Sequence, residues 1–264
     1  MARSSIARRV GLARALSKLG YCSRSSAAEL IRAGRVKLNG TVRRDPETPT
    51  QLETDRLQVD GHPVVCRRMA YLALNKPRGV VTSASDEKGR KTVYDLLPRN
   101  SPWLGPVGRL DKASEGLLLL TNDSEWASRV LAPETHLDKI YHVQLDSVAS
   151  PALIAALHNG VRQADGELLR VKSAQILRTG SKNSWIEVVL DEGRNRHIRR
   201  LLSELGIGVL RLVRVAIGPL PLGSLPKGAS RLLTPAEKRM LDEAMKDALR
   251  DRGGVRAERT TDGG

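Results

Sequence analysis

The chain has 264 residues, enough for one large domain or two of ordinary size around a substantial core. Its apolar fraction is 40% with no Phe, so that core must be built from Leu, Val, Ile and Ala. A net charge of +15 selects polyanionic partners, nucleic acid ahead of an anionic membrane surface. The sequence offers no apolar run long enough to span a bilayer and no signal-peptide core. Cys22 and Cys66 are too far apart for a Cys-x-x-Cys zinc or redox site, and they fit reduced thiols in a cytoplasmic protein.

Residues 1–44 hold eleven Arg or Lys against a single acid, Glu29. Such an opening shares its composition with transit peptides, but the folded pattern that follows argues against that reading. Leu12, Leu16 and Leu19 recur at helical spacing up to Gly20, which predicts a first helix. Ser23 reads as the N-cap of a second helix that runs through Ala27, Leu30 and Ile31 to Gly34. Asn39-Gly40, between Val36 and Val42, signals a hairpin, and residues 57–61 read as a further strand and turn.

A second domain is expected from about Met69. Residues 71–82 read as a strand, a Pro-Gly turn and a second strand, followed by a polar stretch around a short element at 93–97. The four leucines 117–120 predict a buried strand or a short core helix. Helices are expected at 125–131, 151–160 and 196–205, and strands at 140–145, 185–190 and 210–217. Strands with interspersed helices and no regular βαβ repeat predict an α+β fold on a mixed sheet. The expected boundaries are 10–66 and 69–245, with residues 250–264 disordered because they are rich in Gly and charge.

Residues 108–121 read Gly-Arg-Leu-Asp-Lys-Ala-Ser-Glu-Gly-Leu-Leu-Leu-Leu-Thr. Asp111 is either a helix N-cap, with Ser114 and Glu115 just downstream, or a catalytic carboxylate beside a buried element. The segment resembles the Gly-Arg-Leu-Asp motif of the pseudouridine synthases. Residues 139–143 (Lys-Ile-Tyr-His-Val) resemble that family's Lys-x-Tyr-x-Val motif. Residues 192–201 (Glu-Gly-Arg-Asn-Arg-His-Ile-Arg-Arg-Leu) resemble its Gly-Arg-x-x-x-(Ile/Val)-(Arg/Lys) motif. The segment from Leu12 to Val65 resembles the alpha-L RNA-binding domain, through Leu-Ser-Lys-Leu-Gly-Tyr-Cys-Ser-Arg at 16–24, Ala28-Glu29-Leu30-Ile31, Gly34-Arg35-Val36 and Asn39-Gly40.

The resemblance implies a small N-terminal RNA-binding domain followed by a catalytic domain on a mixed, largely antiparallel sheet. It makes Asp111 the catalytic residue, which either adds to the sugar or takes a sugar proton. Arg109 corresponds to the arginine that fills the space left when the target uridine leaves the stack. Tyr141 packs on the target base, Ile198 lines the uracil pocket, and Arg199 pairs with Asp111 and keeps it ionised. Arg14, Lys18, Arg24, Arg35, Lys37, Arg194, Arg196 and Arg200 are implied RNA contacts. His142 falls on the opposite strand face from Tyr141, and His197 has no partner for a metal site. Ala113 stands where many members carry a polar residue.

The expectation is therefore a monomeric, cytoplasmic enzyme without metal or cofactor that converts a uridine of ribosomal RNA to pseudouridine. Its partner is rRNA, free or within a pre-ribosomal subunit. The Gly-Arg-Asn-Arg-x-(Ile/Val)-Arg-Arg form favours large-subunit (23S) rRNA over small-subunit (16S) rRNA. The reading from another class is a non-catalytic RNA-binding assembly factor, which would not need Asp111, Tyr141 and Arg199 together.

Overall fold

The structure, a computed structural model, describes residues 9–65, 68–83, 89–98, 101–135, 137–163 and 166–258, the last eight as backbone only. Arg3, Arg8 and Cys66, and the tail residues 259–264, lie outside the described residues. The chain divides into two compact units. One comprises 1–71 with 98–105 and 120–126; the other comprises 72–97, 106–119 and 127–264.

In the first unit, β1 (Val10–Gly11) leads into α1 (Leu12–Lys18) and α2 (Arg24–Arg32). The Ser23 hydroxyl accepts from the Ser26 amide at 3.0 Å, so it caps α2 as expected. At the other end Arg35 N–H bonds Leu30 O and Gly34 N–H bonds Ile31 O, with Gly34 left-handed at φ 75°. This crossed pair of bonds satisfies carbonyls that the helix end would leave open. The hairpin β2 (Val36–Leu38) and β3 (Thr41–Arg43) turns at Asn39-Gly40. After β4 (Pro49–Thr50), which pairs with β1, the strands β5 (Leu57–Val59) and β6 (His62–Pro63) complete a sheet of order β3-β2-β5-β6.

Alternation in β2 turns Val36 and Leu38 inward and Lys37 outward. Leu12, Leu16, Ala27 and Ile31 from the helices pack with Val36, Leu38, Leu57 and Val59 from the sheet. Each such large aliphatic side chain contributes roughly 1.5–3 kcal/mol on burial.

The second sheet contains β7 (Tyr71–Lys76), β8 (Gly105–Val107), β9 (Glu115–Thr121), β10 (Lys139–Leu145), β13 (Ser173–Thr179), β14 (Ser184–Leu190), β15 (Val209–Ile217), β16 (Leu220–Pro221) and β17 (Ser230–Leu232). Its order is β13-β14-β10-β15-β9-β7-β17, with β8 on β9 and β16 on β15. β10 pairs antiparallel with both β14 and β15, while β15 runs parallel to β9. The remaining elements are α3 (Ser124–Leu131), α4 (Pro151–Asn159), the short hairpin β11 (Val161–Arg162) and β12 (Leu168–Leu169), α5 (His197–Glu204) and α6 (Pro235–Glu258). Leu153 and Leu157 of α4 and Ile198, Leu201 and Leu202 of α5 bury against Val143, Leu145, Ile186, Val188 and Leu212 of the sheet. Among the described residues no helix is long and apolar enough to cross a membrane.

Of the two readings of the leucine run the strand holds, and other expectations change. The leucine run is a strand, buried at all seven positions of β9, because a sheet strand covered on both faces needs no alternation. The strand expected after the Pro-Gly turn contracts to a single bridge between Val81 and Thr92. α6 carries the backbone as helix to Glu258, anchored earlier by the buried Leu241 and Met245. The strands β11, β12, β13, β16 and β17 were not among those expected.

Candidate active-site pocket

Asp111 sits on the loop 108–114 between β8 and β9. It caps no helix: its carbonyl accepts from Ser114 N–H at 2.9 Å, closing a turn that feeds directly into β9. Four groups hold this loop from behind. Lys76, fully buried at the end of β7, donates to the carbonyls of Ser114 (2.8 Å), Asp111 (3.1 Å) and Pro77 (3.2 Å). The Gly79 amide donates to Lys112 O at 2.8 Å, and Thr82 Oγ1 donates to Leu110 O at 2.8 Å. Arg199 of α5 donates to Ala113 O at 3.0 Å. Burial pushes the Lys76 ammonium down to about 8, against the pull of the Asp111 and Glu115 carboxylates.

The loop forms one wall of a pocket of about 350 Å³. Arg109 and Asp111 line that wall, and Tyr141 and Lys139 of β10 line another. Residues 192–198 supply a third wall, which includes Arg196 and Ile198, and Leu212, Arg214 and Ile217 of β15 add to the lining. The pocket thus gathers Asp111, Tyr141, Ile198 and Arg109. The Asp111 carboxylate has no hydrogen bond or ion pair among the described residues.

Register explains the grouping. Tyr141 on β10 pairs with Arg214 on β15, and Arg214 pairs with Gly116 on β9, five residues after Asp111. Gly116 has φ 102°, and a Cβ there would run into the Arg214 backbone, so the close approach of β9 and β15 requires glycine. His142 points to the other face of β10, where its Nε2 lies 3.3 Å from Glu187.

Arg199 departs from the ion pair expected with Asp111. Its two Nη atoms are taken by Ala113 O and Val209 O, so the guanidinium braces the loop and does not grip the carboxylate. Burial lowers its pKa first, Arg196 adds to that, and Asp111 pulls in the opposite direction.

Arg194 and Arg200 are also committed within the protein. Glu167 bonds Arg194 at 2.7 Å and Arg200 at 2.6 Å; Arg194 bonds Glu192 at 2.8 Å, and Arg200 bonds Gln163. Arg196 and Arg109 are exposed at the pocket with no hydrogen bond among the described residues. In the first unit Lys18 pairs with Glu125 at 2.6 Å and Arg35 clasps Asp60 at 2.5–2.8 Å. Arg14, Arg24 and Lys37 are exposed and have no such partner among the described residues.

Two side chains at the site were not singled out in the sequence. Lys76 carried the signal of a lysine inside an apolar strand run. Arg214 was hidden among six arginines in 194–214. It is only 6% exposed, and its Nε donates to Leu117 O at 2.7 Å. Among the described residues no three His, Cys, Asp or Glu side chains group as a metal site.

Residues 70–204 match the family model for RNA pseudouridylate synthase, and residues 10–64 match the S4 domain. The chain is 38% identical over 231 residues to an uncharacterized RNA pseudouridine synthase of Aquifex aeolicus, covering 87% of this chain and 92% of that one. It is 36% identical to the ribosomal large subunit pseudouridine synthase B of Bacillus subtilis, covering 87% and 94%. A crystal structure of a pseudouridylate synthase superposes with a TM-score of 0.62 at 29% identity, covering 88% of this chain and 99% of that one. With its three motifs converging on one pocket and an S4 domain ahead of them, the chain belongs to the RNA pseudouridylate synthase family.

Proposed function

We propose that the protein isomerises a uridine of large-subunit rRNA to pseudouridine, with Asp111 as the catalytic carboxylate. The observation that carries this reading is the pocket that gathers Asp111, Tyr141 and Ile198. Its similarity to the Bacillus subtilis large-subunit enzyme along nearly the whole chain supports the choice of subunit.

The target uridine must leave its stack before a carboxylate can reach its sugar. Tyr141 then offers a face for the base, and Arg109 at the mouth is free to occupy the vacated place. Asp111 either attacks C1′ or removes the C2′ proton; both routes break the C1′–N1 bond. The freed uracil turns in the pocket and C5 bonds to C1′, as the Asp111–C1′ bond breaks in the first route or the proton returns to C2′ in the second. C5 then loses its proton and N1 takes one up. The exposed Arg14, Arg24 and Lys37 of the S4 domain add charge-driven affinity for structured RNA.

Tritium release from C5-labelled uridine tests the proposal, with each subunit's rRNA supplied separately to the wild type and to Asp111→Asn. Release from the large-subunit rRNA alone, lost in the variant while RNA affinity persists, is the expected result. Release from the small-subunit rRNA alone would overturn the choice of substrate. No release from either, free or in assembly intermediates, would favour a binding factor.

A further inference from the structure

Arg214 is the most deeply buried cation lining the pocket. It lies at the centre of the sheet, on β15, between Tyr141 on β10 and Gly116 on β9. Its Nε bond to Leu117 O ties the guanidinium to β9 and fixes its plane. Its Nη2 is buried with no hydrogen-bond partner, and among the described residues Nε is the one nitrogen of this side chain that has a partner. Buried donors of this kind are normally satisfied, and leaving one open is costly. The Asp111 carboxylate forms no ion pair with it among the described residues.

An open donor on a permanently charged group calls for an acceptor oxygen that arrives with the substrate. Tyr141, its cross-strand neighbour, is the face on which the base would rest, so the guanidinium stands beside that base. The oxygens a uracil offers there are its ring carbonyls.

Resting on the function proposed above, we infer that Arg214 is a catalytic residue that donates to a carbonyl oxygen of the extruded uracil and stabilises it as it departs. When C1′–N1 breaks, the bonding pair stays with the ring and spreads over N1 and the two carbonyl oxygens. Charge therefore grows on those oxygens at the moment of cleavage, however Asp111 engages the sugar. A fixed, buried cation acts more strongly on that growing charge than on the neutral base. When C5 bonds to C1′ the ring is neutral again; C5 then loses its proton as N1 gains one, and Arg214 ends the cycle unchanged.

The test compares two transcripts of large-subunit rRNA, one with uridine and one with 5-fluorouridine. Single-turnover loss of the parent nucleoside is followed after digestion, for wild type, Arg214→Lys and Arg214→Gln. Fluorine withdraws electrons and makes the departing base a weaker base that needs less help. On uridine, Arg214→Gln should lose about 10²–10³ in the cleavage rate, as for removal of one oxyanion donor. Arg214→Lys should fall between, with RNA affinity little changed. On 5-fluorouridine both losses should shrink. Equal losses on the two transcripts would overturn the inference alone and make Arg214 a structural residue. A wild type inactive on both would overturn the isomerase reading, and this inference with it. Should Arg214→Gln fail to fold by urea unfolding, Arg214→Lys carries the same comparison.

Discussion

Lys76 donates a hydrogen bond to the backbone carbonyl of Asp111 from a position with no solvent exposure. The candidate catalytic residue is thus placed through its main chain, while its carboxylate stays open to the pocket. Replacing Lys76 by Met takes a donor from three carbonyls, of which Asp111 O keeps the Ser114 amide. The expected result is a loss of about 1–3 kcal/mol in urea unfolding, together with a lower turnover rate and nearly unchanged RNA affinity.

The same lysine gives a pH signature. Its ammonium sits at about 8 in the folded protein against an ordinary 10.5. Below about 8 both folded and unfolded chains hold the proton, and the folded state bears the full burial penalty. Between about 8 and 10.5 the unfolded chain binds more protons, so this group makes stability rise with pH. Unfolding at pH 7.5 and 9.5 should show that rise in the wild type and not in Lys76→Met. Turnover should move oppositely, because the neutral amine has two N–H bonds for three carbonyls.

Gly116→Ala should be among the most damaging single changes. A left-handed backbone costs a side-chain-bearing residue roughly 1–2 kcal/mol. Here the added methyl also meets the Arg214 backbone. Thermal unfolding should show a lower midpoint, with activity lost below it because β9 and β15 can no longer pair in register.

Tyr141→Phe keeps a ring in the pocket and should retain base binding, whereas Tyr141→Ala should not. Stacking on an aromatic is worth roughly 1–3 kcal/mol per base, so kcat/KM for the alanine variant should fall between about 5-fold and 150-fold. Comparable losses in both variants would assign the hydroxyl, and not the ring, the larger part.

Reversing Arg14, Arg24 and Lys37 together to Glu should weaken RNA binding and reduce its salt dependence. Three lost phosphate contacts correspond to a drop of about 2–3 in the slope of log affinity against log salt. Reversing Arg194 instead should act mainly on stability, since its guanidinium is already held by Glu167 and Glu192.

Local signals were legible from the chain itself. Ser23 caps α2, Asn39-Gly40 turns the β2–β3 hairpin, and Pro151 and Gly160 bound α4, because caps and turns are decided by a few neighbouring residues. The three motifs named Asp111, Tyr141 and Ile198, and the fold brings all three to one pocket. The edge strands β13 and β17 were not legible; their pairing partners lie far off in sequence or their residues are too exposed to show a pattern.

What only the tertiary structure decided is which charges face the pocket. Six arginines in 194–214 look alike in sequence. Folding gives Arg194 and Arg200 to Glu167, sets Arg199 behind the loop at Ala113 O, and leaves Arg214 buried with an open donor. The parallel pairing of β9 with β15 brings residue 115 beside residue 213, a contact between segments nearly a hundred residues apart. Local sequence sets backbone conformation within a turn or a strand. The partner of a charge, and the cost of burying it, depend on which distant segments pack around it.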